Sequence, residues 1–342
     1  MCKATNVLVP VFRTLAILLI QSQKLPLVVY TLENKYCIAF YNLENFFDTK
    51  DDPHALDDGF TPGGIHAWNG ERMRNKANKL GRAIAAIGQG EVIRPPVLVG
   101  LAEVENHMVI EALLGTDSLK GIDYGYVHFN SPDERGIDTA LLYHRGHFEL
   151  LGAESLPLLV ENDDGDRDFT RDILYVQGRL NGQEVHIFVN HWPSRREDQD
   201  TDHKRVLAAK VILMKLERLP GDAPPCLVMG DFNDGPASLS IQVLMDSGRF
   251  INPMAALASP RAGSAKYRGQ WLLFDQILFS PGFLGTGTGG HRFVKAGIFA
   301  PKFLQEWKGP YKGQPFRTFA GPKYLGGYSD HFPVYLVLEK RD

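Results

Sequence analysis

The sequence predicts an α/β fold in which mixed or antiparallel sheets are covered by a few helices, and three observations carry that expectation. Short apolar runs of strand length recur along the chain, from "YCIAFYN" at 36–42 to "FPVYLVL" at 332–338. Only two segments carry an amphipathic helical period. The third observation concerns direction: Asn42, Glu103, His191 and Asp231 stand at the ends of such runs, whereas Asp275 and Asp330 stand at the beginnings. If all of them meet at one sheet edge, the later strands run against the earlier ones, which argues against a doubly wound parallel sheet. A sandwich of two sheets flanked by helices satisfies the requirement.

After the strand at 36–42 comes "ERMRNKANKLGRAIAAIG", where Met73, Ala77, Leu80, Ile84 and Ile87 step by four and three and Gly88 suits a helix end. "VLVGLAEVE" at 97–105 and "DTALLYH" at 138–144 read as strands. "LYVQGRL" at 174–180 and "VHIFVNHW" at 185–192 form a hairpin with Asn181-Gly182 as its turn. A second helix follows the acidic stretch 197–202, with Val206, Ala209, Leu213 and Leu216 as its apolar stripe and Pro220-Gly221 as its stop. "CLVMGDFN" at 226–233, "DQILFS" at 275–280 and "FPVYLVL" at 332–338 complete the strands.

Residues 48–70, 156–172, 251–270 and 281–329 read as irregular, and loops this long within a compact domain are functional or disordered. No repeat or linker divides the chain, so residues 31–342 are expected to form one domain. Residues 1–30 stand apart. Lys3 and Arg13 precede a short apolar core at 15–20, which reads as a signal peptide or a disordered N-terminal segment, without a small-x-small cleavage site. The first reading implies a secreted or periplasmic protein and the second a cytoplasmic one.

A composition of 44% hydrophobic and 23% charged residues excludes disorder and coiled coil as descriptions of the chain. With 37 Lys and Arg against 40 Asp and Glu, the formal charge of −3 supplies no global basic field. An anionic substrate must therefore be met locally, and Arg135, Arg171, Arg195 and Arg317 each lie in a polar loop beside a strand end. Cys2, Cys37 and Cys226 are too scattered for a disulfide framework or a thiolate metal site. No run approaches the roughly 20 apolar residues of a membrane span.

The polar residues at the strand ends define a chemistry. Carboxylates without cysteine are hard oxygen ligands, suited to Mg²⁺, Mn²⁺ or Ca²⁺. Histidines beside acids supply a cationic or proton-shuttling group near neutral pH, and asparagines orient an anion or water without adding charge. The set matches metal-assisted attack of water on a phosphate ester. Asp330 and His331 are neighbours in an extended segment, so they point to opposite faces and each needs a partner elsewhere. The acidic run "ENDDGDRD" lacks the glycine position and terminal glutamate of a calcium loop and reads as a solvated loop. Trp307, Tyr311, Phe316, Phe319 and Tyr324 read as packing rather than as base-stacking groups.

The blocks "FYNLENFFD", "GLAEVEN", "RGIDTALLY", "NHWPSR", "GDFND", "FDQILFS" and "YSDHFPV", in that order over residues 36–338, resemble the endonuclease/exonuclease/phosphatase superfamily, which includes deoxyribonuclease I and exonuclease III. "FFDTKDDP", "SPDERGID" and "GGYSDHFPVY" are most similar to a bacterial secreted-type nuclease branch. The resemblance implies a four-layer sandwich, two mainly antiparallel or mixed sheets face to face with helices outside. It implies that Glu103, Asn42 and Asp330 belong to a Mg²⁺ site, that Asp231 positions or deprotonates the attacking water, and that Asn233 holds a phosphate oxygen. His331, oriented by Asp275, would stabilise the phosphate, with His191 as a second phosphate-facing histidine. Asp138, Arg135, Arg171 and Arg195 would serve substrate binding. The implied activity is a Mg²⁺-dependent phosphodiesterase, an endonuclease of low sequence specificity with nucleic acid as substrate, acting as a monomer without a stable protein partner. The alternatives are a phosphatase or phosphodiesterase acting on a lipid or small phosphate ester, and a binding module without catalysis. Relatives acting on inositol phosphates carry an arginine where this chain has Gln276, which argues against that branch.

Overall fold

The structure, a computed structural model, describes residues 32–162, 164–195, 201–220, 225–285 and 289–341. The signal-peptide expectation for residues 1–30 lies outside the described residues. The strands in chain order begin with β1 (Lys35–Phe46), β2 (Leu98–Val104), β3 (Tyr124–His128), β4 (Asp138–His144) and β5 (Phe148–Leu156). They continue with β6 (Val160–Glu161), β7 (Arg167–Asp168), β8 (Ile173–Leu180), β9 (Gln183–His191) and β10 (Cys226–Asp231). The rest are β11 (Ala265–Tyr267), β12 (Gln270–Leu272), β13 (Asp275–Phe279), β14 (His291–Ile298), β15 (Phe319–Ala320), β16 (Lys323–Tyr324) and β17 (Val334–Lys340). Four α-helices are described: α1 (Gly70–Ala86), α2 (His107–Leu114), α3 (Asp202–Glu217) and α4 (Leu239–Asp246).

Two sheets form the body: a six-stranded one in the order β14-β17-β1-β2-β4-β3 and a five-stranded one in the order β13-β10-β9-β8-β5. Alternation along the strands explains why they stack. In β1, Ile38 and Phe40 face the other sheet while Cys37, Ala39, Tyr41 and Leu43 face α1 and α2. In β10, Leu227 and Met229 face inward, and Cys226 and Val228 lie against α3 and α4. Both sheets are thus apolar on two faces, and the protein is a four-layer sandwich of helices, sheet, sheet and helices.

Strand sense follows the rule read from the polar residues. β1 and β2 are parallel, as are β9 and β10, whereas β17 runs antiparallel to β1 and β13 antiparallel to β10. The Asn181-Gly182 hairpin is present, with both residues at positive φ and Leu180 opposite Gln183. Helix α1 starts on Asn69, whose side chain accepts from the amides of Glu71 and Arg72, and ends before Gly88 at φ +80°. Its Leu80 and Ile84 are fully buried, contributing about 1.5–3 kcal/mol each.

Several expectations are corrected. The buried stripe of α3 is Arg205, Ala208, Ala209, Ile212 and Leu216, with Val206 and Leu213 only half-buried. The stripe is rotated because Arg205 is drawn inward by the buried carboxylate of Asp234, 2.9 Å away. The span 281–329 is not wholly irregular, since β14 lies within it and pairs with β17. Short α2 and α4 and edge strands β3 and β5 complete the layers, and residues 156–172 contain the small β6–β7 pair.

One glycine sets the distance between β9 and β10. A Cβ on Gly230 would lie 2.4 Å from the carbonyl oxygen of Asn190, which is ladder backbone and cannot rotate away. Gly230→Ala is expected to cost about 1–3 kcal/mol, read as a lower urea midpoint at unchanged m-value. Wild-type stability in that variant would show that the two strands can separate.

Candidate active site

The polar residues converge at one end of the sandwich because the ladder registers bring them there. Asp231 is paired with His191 on one side and with Asp275 on the other. Asn42, His191, Asp231 and Asp275 share the parity of inward-facing apolar residues, so their side chains enter the space between the sheets where the hydrophobic core stops. Glu103 reaches it differently. Val99, Leu101 and Val104 all pack toward α1 and α2, so an extra residue is inserted at Glu103, whose φ is +62° and where the ladder register shifts. A left-handed glutamate costs of order 1–3 kcal/mol and requires its surroundings to hold it. Glu44 and Asn45 at φ +54° and +50° do so, because their amides turn to Asn42 Oδ1 at 2.9 Å and Glu103 Oε2 at 2.6 Å.

Asp231 is the centre of the arrangement. Its Oδ2 accepts from Asn42 Nδ2 at 3.0 Å and faces His331 Nε2 at 3.8 Å and His191 Nε2 at 3.9 Å. Its Oδ1 accepts from the amide of Asn233, a residue at φ +50° whose side chain donates to Trp192 O at 2.8 Å. Both imidazole nitrogens stand beyond direct hydrogen-bond reach, leaving a gap that a water or a substrate oxygen can bridge. Glu103 Oε1 closes the same space, 3.8 Å from His191 Nε2 and 3.4 Å from Asn42 Nδ2. His331 Nδ1 is 2.6 Å from Asp275 Oδ2, and Asp275 is fully buried with its other oxygen unpartnered among the described residues.

These environments separate the titrating groups. Burial pushes the Asp231 carboxyl up to about 6, His331 pulling it down and Asp275 pushing it further up. Burial disfavours charge on His331, but the carboxylates of Asp275, Asp231 and Asp330 outweigh it and hold the imidazolium well above its ordinary value. His191 is held well below it by burial, with Arg171, Arg135 and His331 adding repulsion. Burial would raise Glu103, yet Arg135, the Asn45 amide, His331 and Asn42 together keep it lowered and ionised. The site thus contains one cationic and one neutral histidine around a carboxyl that titrates near neutrality.

Beneath it lies a network that the motifs did not announce. The carboxylate of Glu44 accepts from the amides of Thr318 (2.6 Å) and Phe319 (3.4 Å), while the buried ammonium of Lys76 on α1 donates to Glu44 O and Thr318 Oγ1. Burial and the nearby Asp330 push Glu44 up to about 7. Arg317 donates to Asp330 Oδ2 at 3.0 Å and lies 3.6 Å from Glu44 Oε1, so its guanidinium is committed to protein carboxylates. Ser329 Oγ donates to Asn42 O and accepts from the His331 amide, and Ser264 Oγ accepts from the Asp275 amide. Glu44 carries no signal in the strand pattern, because the alternation that turns Asn42 inward breaks at the left-handed Glu44 and Asn45 and Glu44 lies beside Lys76 of α1; the serines carry no signal beyond their place in turns.

The four substrate-binding expectations separate as well. The guanidinium of Arg135 makes no hydrogen bond or ion pair among the described residues, and its charge acts on Glu103 and His191. Arg171 is buried and spent, donating to His191 O at 3.2 Å, Trp192 O at 2.8 Å and Asp133 Oδ2 at 2.8 Å. It fixes the end of β9. Arg195 is half-exposed at the rim, bonded to Asn233 O at 2.9 Å and Asp234 Oδ1 at 2.6 Å. It borders a cavity of ≈ 660 Å³ that Trp271 and Phe274 also line. Asp138 is turned to the amide and hydroxyl of Ser131 and to His128 at 3.4 Å, so it shapes the loop carrying Arg135.

For a divalent cation, the donor chemistry fits. Glu103 is a carboxylate held below its ordinary pKa, Asp330 is a further carboxylate paired with Arg317 at 3.0 Å, and the described cysteines are buried in the apolar core. Asn42 spends its amide oxygen on Glu44 and its nitrogen on Asp231 and Glu103, so here it ties the acids together. Ligand atoms of Asp231, Asp275 and His331 also lie within 4.8 Å of one another. Within that group His331 Nδ1 is already engaged by Asp275 at 2.6 Å.

A sequence profile described as the Endonuclease/Exonuclease/phosphatase family matches residues 37–340. No curated protein sequence matches significantly. Among solved structures, a humanized Danio rerio TDP2 carrying 14 mutations is similar at a TM-score of 0.57 and 16% identity, covering 90% of this chain and 100% of its own. A Bacteroides thetaiotaomicron mannosyl-6-phosphatase is similar at 0.54 and 16%, covering 89% and 99%. The human Nocturnin catalytic domain is similar at 0.55 and 14%, covering 90% and 95%.

Proposed function

The chain belongs to the endonuclease/exonuclease/phosphatase family, and on that premise we propose that it is a metal-dependent phosphodiester hydrolase acting as an endonuclease of low sequence specificity. The observation that carries the reading is the cluster in which Glu103 and Asp231 stand 3.8 and 3.9 Å from His191 Nε2 and Asp231 stands 3.8 Å from His331 Nε2. It combines a base that titrates near neutrality with a fixed cation for phosphate oxygens.

In this reading Asp231 receives the proton of the attacking water, oriented by Asn42 Nδ2 and the Asn233 amide. His331, clamped by Asp275, presents Nε2 to a non-bridging phosphate oxygen, and His191 presents its Nε2 from the opposite side. Glu103 and Asp330 would hold a divalent cation, which when bound supplies charge neutralisation on the phosphate. The inter-sheet core below them, including Val189 and Met229, excludes water from the inner side of the carboxylates.

Two observations favour a nucleic acid over an inositol phosphate. Gln276 is fully buried, accepting from Asn252 and donating to Asp234 O, so no cationic side chain stands at that position. The turn between Gln305 and Pro315 carries Trp307 and Tyr311, 68% and 64% exposed, and leads directly into Arg317 beside Asp330. The sequence reading of these two as packing groups is thereby corrected, and exposed aromatics suit base stacking. One similar structure is a Danio rerio TDP2 complexed with a single-strand DNA product.

Purified protein is expected to nick supercoiled plasmid with Mg²⁺ and to stop with EDTA, and to prefer bis- over mono-p-nitrophenyl phosphate. Nicking indifferent to EDTA would defeat the metal-dependent reading, and the reverse ester preference would replace it with a phosphatase.

A further inference from the structure

Beside Arg171, which donates to the His191 carbonyl, lies a second and more polar cavity of ≈ 230 Å³. Its walls include Arg135, Thr170, Arg171, Ser194, Thr201 and Lys204. The volume is below the roughly 300–1,000 Å³ of pockets that enclose a drug-sized ligand, so it suits one functional group rather than a whole nucleotide.

The charges around it identify the group. Lys204 is paired with Asp168 at 2.6 Å and Arg171 with Asp133 at 2.8 Å, so these two cations and two carboxylates cancel. Glu134 also borders the cavity but is exposed. Arg135, half-buried and without a hydrogen-bonding partner among the described residues, is the cation left over. Thr170 is 4% exposed and its hydroxyl has no partner among the described residues, an arrangement that costs free energy unless a ligand or water completes it. Thr201 is the N-cap of the 16-residue α3, yet its hydroxyl turns to Ser194 O and Arg205 and makes no cap to the first turn. The positive end of a helix therefore borders the same cavity.

We propose that this cavity is a subsite for a second phosphate of the substrate, held by Arg135, the Thr170 hydroxyl and the start of α3 while the scissile diester lies against His191 and Glu103. Arg135 is the link between the two, because it lines the cavity and its field also reaches Glu103 and His191. The inference rests on the phosphodiesterase reading and adds to it tighter binding of a substrate that carries a second phosphate beside the scissile one.

The test is equilibrium titration of the metal-free full-length protein with adenosine 3′,5′-bisphosphate, adenosine 3′-monophosphate and adenosine 5′-monophosphate. The bisphosphate is expected to bind about tenfold more tightly than either monophosphate, the gain of one charge-assisted contact set. Arg135→Met is expected to abolish that advantage. Thr170→Val, which keeps the side-chain shape, is expected to reduce it about threefold at an unchanged thermal midpoint. Equal affinity for the bisphosphate and the monophosphates, or an advantage that survives Arg135→Met, overturns the subsite even if diesters are hydrolysed. A bisphosphate advantage in a protein that hydrolyses no diester supports the subsite and removes the catalytic reading instead.

Discussion

Asp231→Asn is expected to lower kcat on bis-p-nitrophenyl phosphate by about 10²–10⁴-fold while moving the thermal midpoint by no more than about 3 °C. The catalytic loss follows from removing the carboxyl at the centre of the site, which burial raises to about 6. The small stability change follows from two opposed effects. Both oxygens of Asp231 accept hydrogen bonds, from Asn42 and from the Asn233 amide, and asparagine can accept only one of them. Against that loss, the wild-type carboxyl is raised to about 6, so ionising it at neutral pH is unfavourable in the folded chain. A folded-state pKa above the unfolded one contributes stability below about pH 4 and loses it as pH rises through about 6. The asparagine variant should lack that step. In the wild type, log kcat/KM should rise with unit slope below about pH 6 and then level. A variant with wild-type turnover, or a profile flat through that range, would remove Asp231 from the role of base.

How much of this could be read beforehand depends on what each residue's neighbours in sequence reveal. Strand sense was legible because Asp231 ends a run and Asp275 begins one, and the ladder places them opposite each other in antiparallel strands. The helix α1 was legible from its period and its terminal glycine. The face of α3 was not, because the inward position belongs to Arg205, a charged residue whose partner Asp234 is distant in sequence. The edge strand β5 has mostly exposed or half-buried residues and therefore no alternation to detect, and α2 and α4 span only eight residues each.

The same distinction holds in the site. Asn42, Glu103, Asp231 and His331 are marked by their places in apolar runs, but the turn of Glu103 toward them depends on one inserted residue that no side-chain pattern records. Arg171 looked like Arg135 in sequence, a cation in a polar loop. Its three protein acceptors make it a brace for the end of β9, while Arg135 remains available. Arg317 was similarly ambiguous and is committed to Asp330 and Glu44. Charge and loop position are local properties, whereas availability is decided by partners far along the chain.

The second large effect is expected at the Asp275–His331 pair, and its signature is non-additivity. His331→Ala should reduce kcat/KM by about 10²–10³-fold, since it deletes a fixed cation aimed at the phosphate. Asp275→Asn leaves the imidazole in place but removes the carboxylate that heads the list of charges holding it protonated against the opposing effect of burial. The alkaline limb of the wild-type profile, set by an imidazolium held well above its ordinary value, should therefore move toward neutral pH in Asp275→Asn. At pH 7 that variant should lose nearly as much activity as His331→Ala, and the double variant hardly more than either, because both substitutions remove one charged group. The 2.6 Å bond and the complete burial of Asp275 make an independent second role for its carboxylate hard to accommodate. Losses that multiply in the double variant, or an alkaline limb that stays in place in Asp275→Asn, would show that the two residues act separately and that His331 keeps its proton by other means.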